Sequence, residues 1–297
     1  MSGWNMVRAG IQERRFDDPI EFLGALDASS SLWGDTPDAW IFRGHSDARW
    51  DLLPAAHRPE PWKALAKQGE PPFVPSEVTE ETRLRKEDAV RQEFLEALDA
   101  SGLQVPPEYR TQGRLRGLGN EKPLALAQHY GLPTRLLDWS RQPNVAAYFA
   151  CLRPRDAADD LAVWALHALC VSKDPTRRDE CLVIQTTRAD NPNLHAQDGL
   201  FTCAQVRNGD NQQAKTIPRI DLLLSEMVAG VTPLGPNPPN IPDPILRKFV
   251  LSREHDQKLM QALHQRRVTA SRVFPGLSGV AMTVRERLQF GVAGPGF

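Results

Sequence analysis

The sequence predicts a single α+β domain, with a small mixed or antiparallel β core flanked by helices. Three observations carry that expectation. Short apolar runs of strand length alternate loosely with helix-period segments, without regular strand–helix–strand units. Proline accounts for 25 of the 297 residues, which favours short elements joined by fixed turns over a helical bundle. The polar clusters that could carry chemistry sit near residues 43, 138 and 197, so one continuous domain, expected to span 1–290, must bring them together. Residues 291–297 read as a loose tail.

The elements follow in order. Asp18-Pro19 opens a helix: Asp18 caps it, Pro19 takes its first position and Glu21 can reach back as in a capping box. Ile20, Leu23 and Leu26 form its expected inner face. Ala39 to Phe42 is apolar and aromatic and predicts a buried strand, ending where polarity returns at Arg43-Gly44-His45. Residues 59–80, rich in Pro and Glu, read as a surface excursion. A long helix follows over about 80–100, with Leu84, Val90, Phe94 and Leu98 near helical spacing. Its Arg83, Arg85, Lys86 and Arg91 read as a solvated face, and the basic run 110–119 as a loop.

Pro123 can start a helix that runs to Tyr130, where Gly131 offers a left-handed stop and Pro133 forbids continuation. Thr134 to Trp139 predicts a strand. Pro143 opens a helix whose Val145, Tyr148, Phe149 and Leu152 fall on one buried face. Strands are expected at Leu161–His167, Cys181–Thr186, Leu200–Val206 and Ile245–Leu251, and helices at Arg253–Gln265 and Gly276–Leu288. Residues 230–244 read as an extended proline-rich connector.

Composition excludes several function classes. Lys and Arg number 36 against 37 Asp and Glu, a net charge of −1, so no global field draws nucleic acid or an acidic membrane. No window approaches the roughly 18 to 20 apolar residues of a membrane span, and the N-terminus lacks a signal-peptide apolar core. The four cysteines are far apart with no C-x-x-C pair, so they read as small apolar residues rather than metal ligands. The expectation is a cytoplasmic, reduced protein with no metal and no membrane contact.

Three clusters could carry chemistry. In Trp40-Ile-Phe-Arg43-Gly44-His45, an arginine at the polar end of a buried strand offers a guanidinium fork for phosphate or carboxylate. Gly44 would let a ligand or a second backbone approach closely. An Arg43 paired architecturally with an internal carboxylate such as Asp138 fits the local sequence equally well. The second cluster runs from Gln128-His129-Tyr130 through Arg135 and Asp138-Trp-Ser140 into the helix bearing Tyr148. It gathers side-chain oxygens and backbone N–H groups near a helix N-terminus, where anions bind; Ser140 also fits a simple cap, and His129 either a general base or a packing residue. In the third, His195-Ala-Gln197-Asp-Gly199-Leu-Phe201, a tight turn could present the Gln197 amide.

Together these segments resemble the FRG domain, a bacterial family named for its Phe-Arg-Gly motif, here Phe42-Arg43-Gly44. Q-H-Y-G-L-P-T-R-L-L-D-W-S at 128–140 and A-A-Y-F-A at 146–150 match the family's core closely. The A-Q-x-G-x-F element around Gln197 and the F-P-x-L segment at Phe274–Leu277 extend the resemblance over about 40–288. The family is similar in motif order to ADP-ribosyltransferases of the Arg-Ser-Glu type, which implies a related fold and NAD as substrate. On that resemblance Arg43, Asp138, Ser140 and Gln197 are the catalytic set. Arg43, Gly44, His129, Tyr130, Arg135 and Tyr148 would bind the dinucleotide. Gln197 stands where such a transferase has Glu, leaving Asp138 or the distant Glu254 as the carboxylate. The implied setting is a bacterial toxin or anti-phage system, with a protein or nucleic-acid acceptor and an antitoxin or defence-system partner. The alternative is a noncatalytic sensor that binds a phosphorylated ligand or a protein partner in the same cleft.

Overall fold

The computed structural model describes residues 3–103, 121–152, 159–168, 181–186, 188, 191–204, 219–230 and 244–292. Among these, eight strands form one mixed sheet: β1 (Asn5–Arg8), β2 (Ile11–Phe16), β3 (Trp40–His45), β4 (Leu136–Ser140), β5 (Leu161–His167), β6 (Cys181–Ile184), β7 (Gly199–Ala204) and β8 (Leu246–Leu251). Their order across the sheet is β1-β2-β8-β5-β3-β4-β7-β6. Only β2 and β8 run parallel; every other neighbouring pair is antiparallel. The helices are α1 (Pro19–Leu26), α2 (Pro59–Ala64), α3 (Glu80–Ala100), α4 (Glu121–His129), α5 (Pro143–Cys151), α6 (Pro192–Ala196), α7 (Ile220–Val228), α8 (Asp256–Gln265), α9 (Ala270–Val273) and α10 (Leu277–Phe290). The chain is an α+β domain with a mixed sheet flanked by helices.

The alternation of β3 sets the two layers. Successive side chains of a strand point to opposite faces, so Trp40, Phe42 and Gly44 share one side and Ile41, Arg43 and His45 the other. Trp40 and Phe42 pack with Phe22 and Leu23 of α1, Tyr148 of α5 and Leu259 of α8. Ile41 packs with Leu137, Trp139 and Trp164 under Ile220, Leu224 and Met227 of α7. A smaller cluster seats Leu124 and Ala125 of α4 on Leu136, Phe201 and Cys203. Cys151, Cys181 and Cys203 are buried thiols, and burial pushes the Cys151 pKa up; Cys170 lies outside the described residues. Among those residues no His, Cys, Asp or Glu group is arranged to hold a metal, and no helix is long and apolar enough to cross a membrane.

Several local expectations need correction. Asp18 caps α1 by accepting from the Glu21 N–H at 2.8 Å, but the Glu21 carboxylate pairs with Arg14 instead of closing a capping box. Ile20 is exposed, and Phe22 takes its place in the core, because the buried face of α1 runs through 19, 22, 23 and 26. The excursion at 59–80 contains α2, anchored by buried Trp62, whose indole N–H donates to the Ala56 carbonyl at 2.9 Å. Helix α3 buries a charged stripe, Glu80, Arg83, Glu87 and Arg91. Arg83 reaches Glu80 at 2.5 Å and Arg91 reaches Asp88 at 2.6 Å, so only Arg85 and Lys86 of the expected solvated face are exposed. The runs 110–119 and 231–243 and the tail beyond Val292 lie outside the described residues.

One buried group on this side makes stability pH-dependent. His57 is 4% exposed, and burial, with help from the charges of Arg83 and Arg135, lowers its pKa to about 3. An unfolded histidine titrates near 6.5, so below that pH the unfolded chain binds a proton that the folded one refuses. The stabilisation is complete above pH 6.5 and falls away as pH drops towards 3. Urea denaturation should show this site costing about 2 kcal/mol between pH 7 and 5. His57→Gln should flatten that part of the profile, and an unchanged slope would remove His57 as its source.

Candidate functional site

The β3–β4 junction is the weakest in the sheet. β3 pairs with β5 along its whole length, Trp40 to His45, and β4 pairs with β7 from Leu136 to Ser140. β3 and β4 meet only at Phe42↔Ser140. Beyond that pair lies a cavity of about 410 Å³, within the range of small-molecule sites. Arg43, Gly44 and His45 of β3, Asp138 and Ser140 of β4, His129 at the end of α4 and Gln197 after α6 all line it. Trp50, Phe149 and Phe274 add aromatic wall.

Arg43 spans the seam. Its Nη1 donates to the Asp138 carbonyl at 2.8 Å and lies 3.6 Å from the Asp138 carboxylate, so a side chain makes the link that a continuous backbone ladder would have made. Its Nε donates to His45 Nε2 at 3.0 Å. Because Nε can only donate, His45 Nε2 must accept, and His45 Nδ1 carries the proton that reaches the Trp50 carbonyl at 3.2 Å. Burial and the neighbouring Arg43 charge keep the imidazole neutral, far below its ordinary pKa. Arg43 Nη2 has no protein partner among the described residues. Burial lowers the Arg43 pKa and Asp138 opposes that shift, but a guanidinium remains a cation throughout.

The other candidates divide sharply. Asp138 has a largely exposed side chain, accepts from Gln128 Nε2 at 2.6 Å, and is the only carboxylate among the described residues that line the cavity. His129 faces the cavity, its pKa lowered by burial against the pull of Asp138. Ser140 is committed to structure: its hydroxyl donates to the Gln197 carbonyl at 2.6 Å and accepts from the Gln142 N–H at 2.9 Å. Gln197 is the C-cap of α6, and its side-chain amide donates to the Val273 carbonyl at 3.2 Å. Gly44 answers a backbone as well as a cavity, since a Cβ there would lie 2.0 Å from the Ala146 carbonyl oxygen.

Four candidates lie elsewhere. Arg135 is held by Glu87 of α3, with its backbone N–H and its Nε each 2.6 Å from a carboxylate oxygen; burial works to lower its pKa, but Glu87, Cys203 and Glu80 together turn the net direction up. Tyr148 is fully buried and donates its hydroxyl to Glu286 of α10; burial and that carboxylate both raise its pKa. Tyr130 projects outward, 66% exposed, against Phe94 and His129. Glu254 is exposed beside His255, away from the cavity lining.

Some contributors went unread in the sequence. His45 stands two residues after Arg43 on the same strand face, a period-2 relation that could have exposed it. Arg58, the N-cap residue of α2, acts electrostatically on both Arg43 and Asp138; nothing local signals that.

Fold and site thus define a mixed α+β domain whose sheet opens onto an arginine-spanned cavity. Residues 38–159 match the family model of the FRG domain. No curated protein and no solved structure matches the chain. The family match takes in Arg43, His129, Asp138 and Ser140, and ends before Gln197 and Phe274.

Proposed function

We propose that the cavity binds the phosphate of a nucleotide-type ligand and that the domain uses NAD as a substrate, transferring ADP-ribose to an acceptor. The observation that carries the reading is the Arg43–Asp138 pair, 3.6 Å apart across the seam, with Arg43 Nη2 turned to no protein group among the described residues. A guanidinium fork suits phosphate, and the walls of Trp50, Phe149 and Phe274 suit a planar ring. In the transfer, the bond from ribose C1′ to the nicotinamide nitrogen breaks, and its electrons leave with neutral nicotinamide. C1′ carries oxocarbenium charge until a nucleophilic atom of the acceptor bonds to it and loses a proton. Asp138 supplies the carboxylate that stabilises this charge or orients a ribose hydroxyl, while Arg43 fixes the phosphates. Gln197 offers an amide, which cannot offset positive charge. Such an activity suits a bacterial toxin or anti-phage effector acting on protein or nucleic acid and restrained by a partner.

A specific observation favours a second reading, a sensor that binds without turnover. The Ser140 hydroxyl and the Gln197 amide are both spent on backbone carbonyls, which leaves Asp138 to work alone. The two readings separate when purified protein is incubated with labelled NAD and bacterial lysate. Transfer predicts nicotinamide release and labelled acceptor, both reduced at least about a hundredfold in Arg43→Ala. Asp138→Asn should keep NAD binding and lose release, whereas Ser140→Ala should keep both. Binding without release from the wild type would make the domain a sensor, and no binding at all would sink both readings.

A further inference from the structure

Helix α10 exposes one face as regularly as it buries the other. Gly279, Thr283, Glu286 and Phe290 point inward, and a Cβ on Gly279 would lie 1.8 Å from the Phe274 carbonyl oxygen. On the opposite side Leu277, Val280, Val284 and Leu288 are 89%, 52%, 49% and 82% exposed, with Ala281 exposed between them. At about 100° per residue these five fall within an arc of about 100°, the width of a helix-packing stripe. Aliphatic side chains scattered singly over a surface need no explanation, but a continuous row along one helix marks an interaction site.

The segment that carries the row is basic. From Gln257 to Val292 the only acid is Glu286, which is buried, while Lys258, Arg266, Arg267, Arg272, Arg285 and Arg287 are all basic. Helical phase puts Arg285 and Arg287 on opposite borders of the row.

We infer that α10 is the docking surface for an amphipathic helix of another protein, one whose aliphatic row is flanked by Asp and Glu. A second copy of this chain would bring the same basic border with no acid to meet it. Interfacial membrane helices set Trp, Phe and Leu against lipid; this row is Leu, Val and Ala at three- and four-residue spacing, the pattern that meshes with a facing helix.

The test uses two synthetic peptide helices with the same leucine row, one flanked by Glu and the other by Lys, titrated against the full chain by fluorescence anisotropy. The Glu-flanked peptide should bind and the Lys-flanked one should not. Val284→Glu should weaken binding at least about tenfold. Arg285→Glu should weaken the Glu-flanked peptide and admit the Lys-flanked one, with thermal melts unchanged in both variants. Equal binding of the two peptides, or no binding of the Glu-flanked one, overturns the inference. So does a wild-type dimer that Val284→Glu dissolves, which would make the occupant a second copy. Co-sedimentation with phosphatidylserine vesicles that Val284→Glu abolishes would make it a membrane.

Discussion

Gly44→Ala should destabilise the domain by about 3 kcal/mol or more, enough to leave little folded protein in a chain of ordinary marginal stability. The added Cβ would sit 2.0 Å from the Ala146 carbonyl oxygen and 2.7 Å from the Ala150 nitrogen. Both are backbone atoms of α5, so no side chain can swing aside to make room; the whole helix must retreat from the sheet. Along with α5 would go the packing of Val145, Ala146 and Tyr148 against Phe42 and Trp40. A fall in melting temperature and in soluble yield is the expected measurement, and an unchanged melt would show that α5 can shift freely. The glycine of the Phe-Arg-Gly motif is therefore as much a packing requirement as a site feature.

Glu286→Ala should cost about 3 to 5 kcal/mol in chemical denaturation, from the loss of one buried acceptor that serves three donors. Its carboxylate receives the Tyr148 hydroxyl from α5, His264 Nε2 from α8 at 3.1 Å and the Ala270 N–H from α9 at 3.3 Å. Truncation leaves all of these buried without that partner, whereas Glu286→Gln keeps one acceptor oxygen and should cost less. Hydrogen exchange offers a local readout, since α9 and the inner face of α10 should lose protection before the sheet does. Equal stability of the alanine variant and the wild type would show that the three donors find other partners.

The sequence made some of this legible and hid the rest for physical reasons. Strand β5 was readable to the residue, because six apolar residues from Leu161 to Leu166 stand between the polar Asp160 and His167. The pairing of Arg43 with Asp138 was one of two open readings, and the geometry shows both a structural link and an unengaged guanidinium nitrogen. Strand β2 escaped notice because Gln12 to Arg15 are polar, the first three only partly buried and Arg15 exposed; their pairing with β8 rests on backbone bonds, which leave no apolar alternation. Helix α7 follows a stretch with no start signal and carries no side-chain cap. The pairing of Arg135 with Glu87 was not legible, because Glu87 lies 48 residues earlier, a distance over which local spacing says nothing. Tyr148 shows the opposite case: its buried helical face was legible from local spacing, whereas the Glu286 that takes its hydroxyl lies 138 residues later.

The single β3–β4 register pair divides the sheet into a five-stranded part, β1-β2-β8-β5-β3, and a three-stranded part, β4-β7-β6. The chain passes between them four times, from β3 to β4, β4 to β5, β5 to β6 and β7 to β8. The junction is thus poor in hydrogen bonds and rich in threads, like the edge of a laced boot. The lacing ties the two parts together across a seam that a single register pair of backbone holds. Neither part is a contiguous stretch of chain, so no truncation at a single point could produce one of them alone.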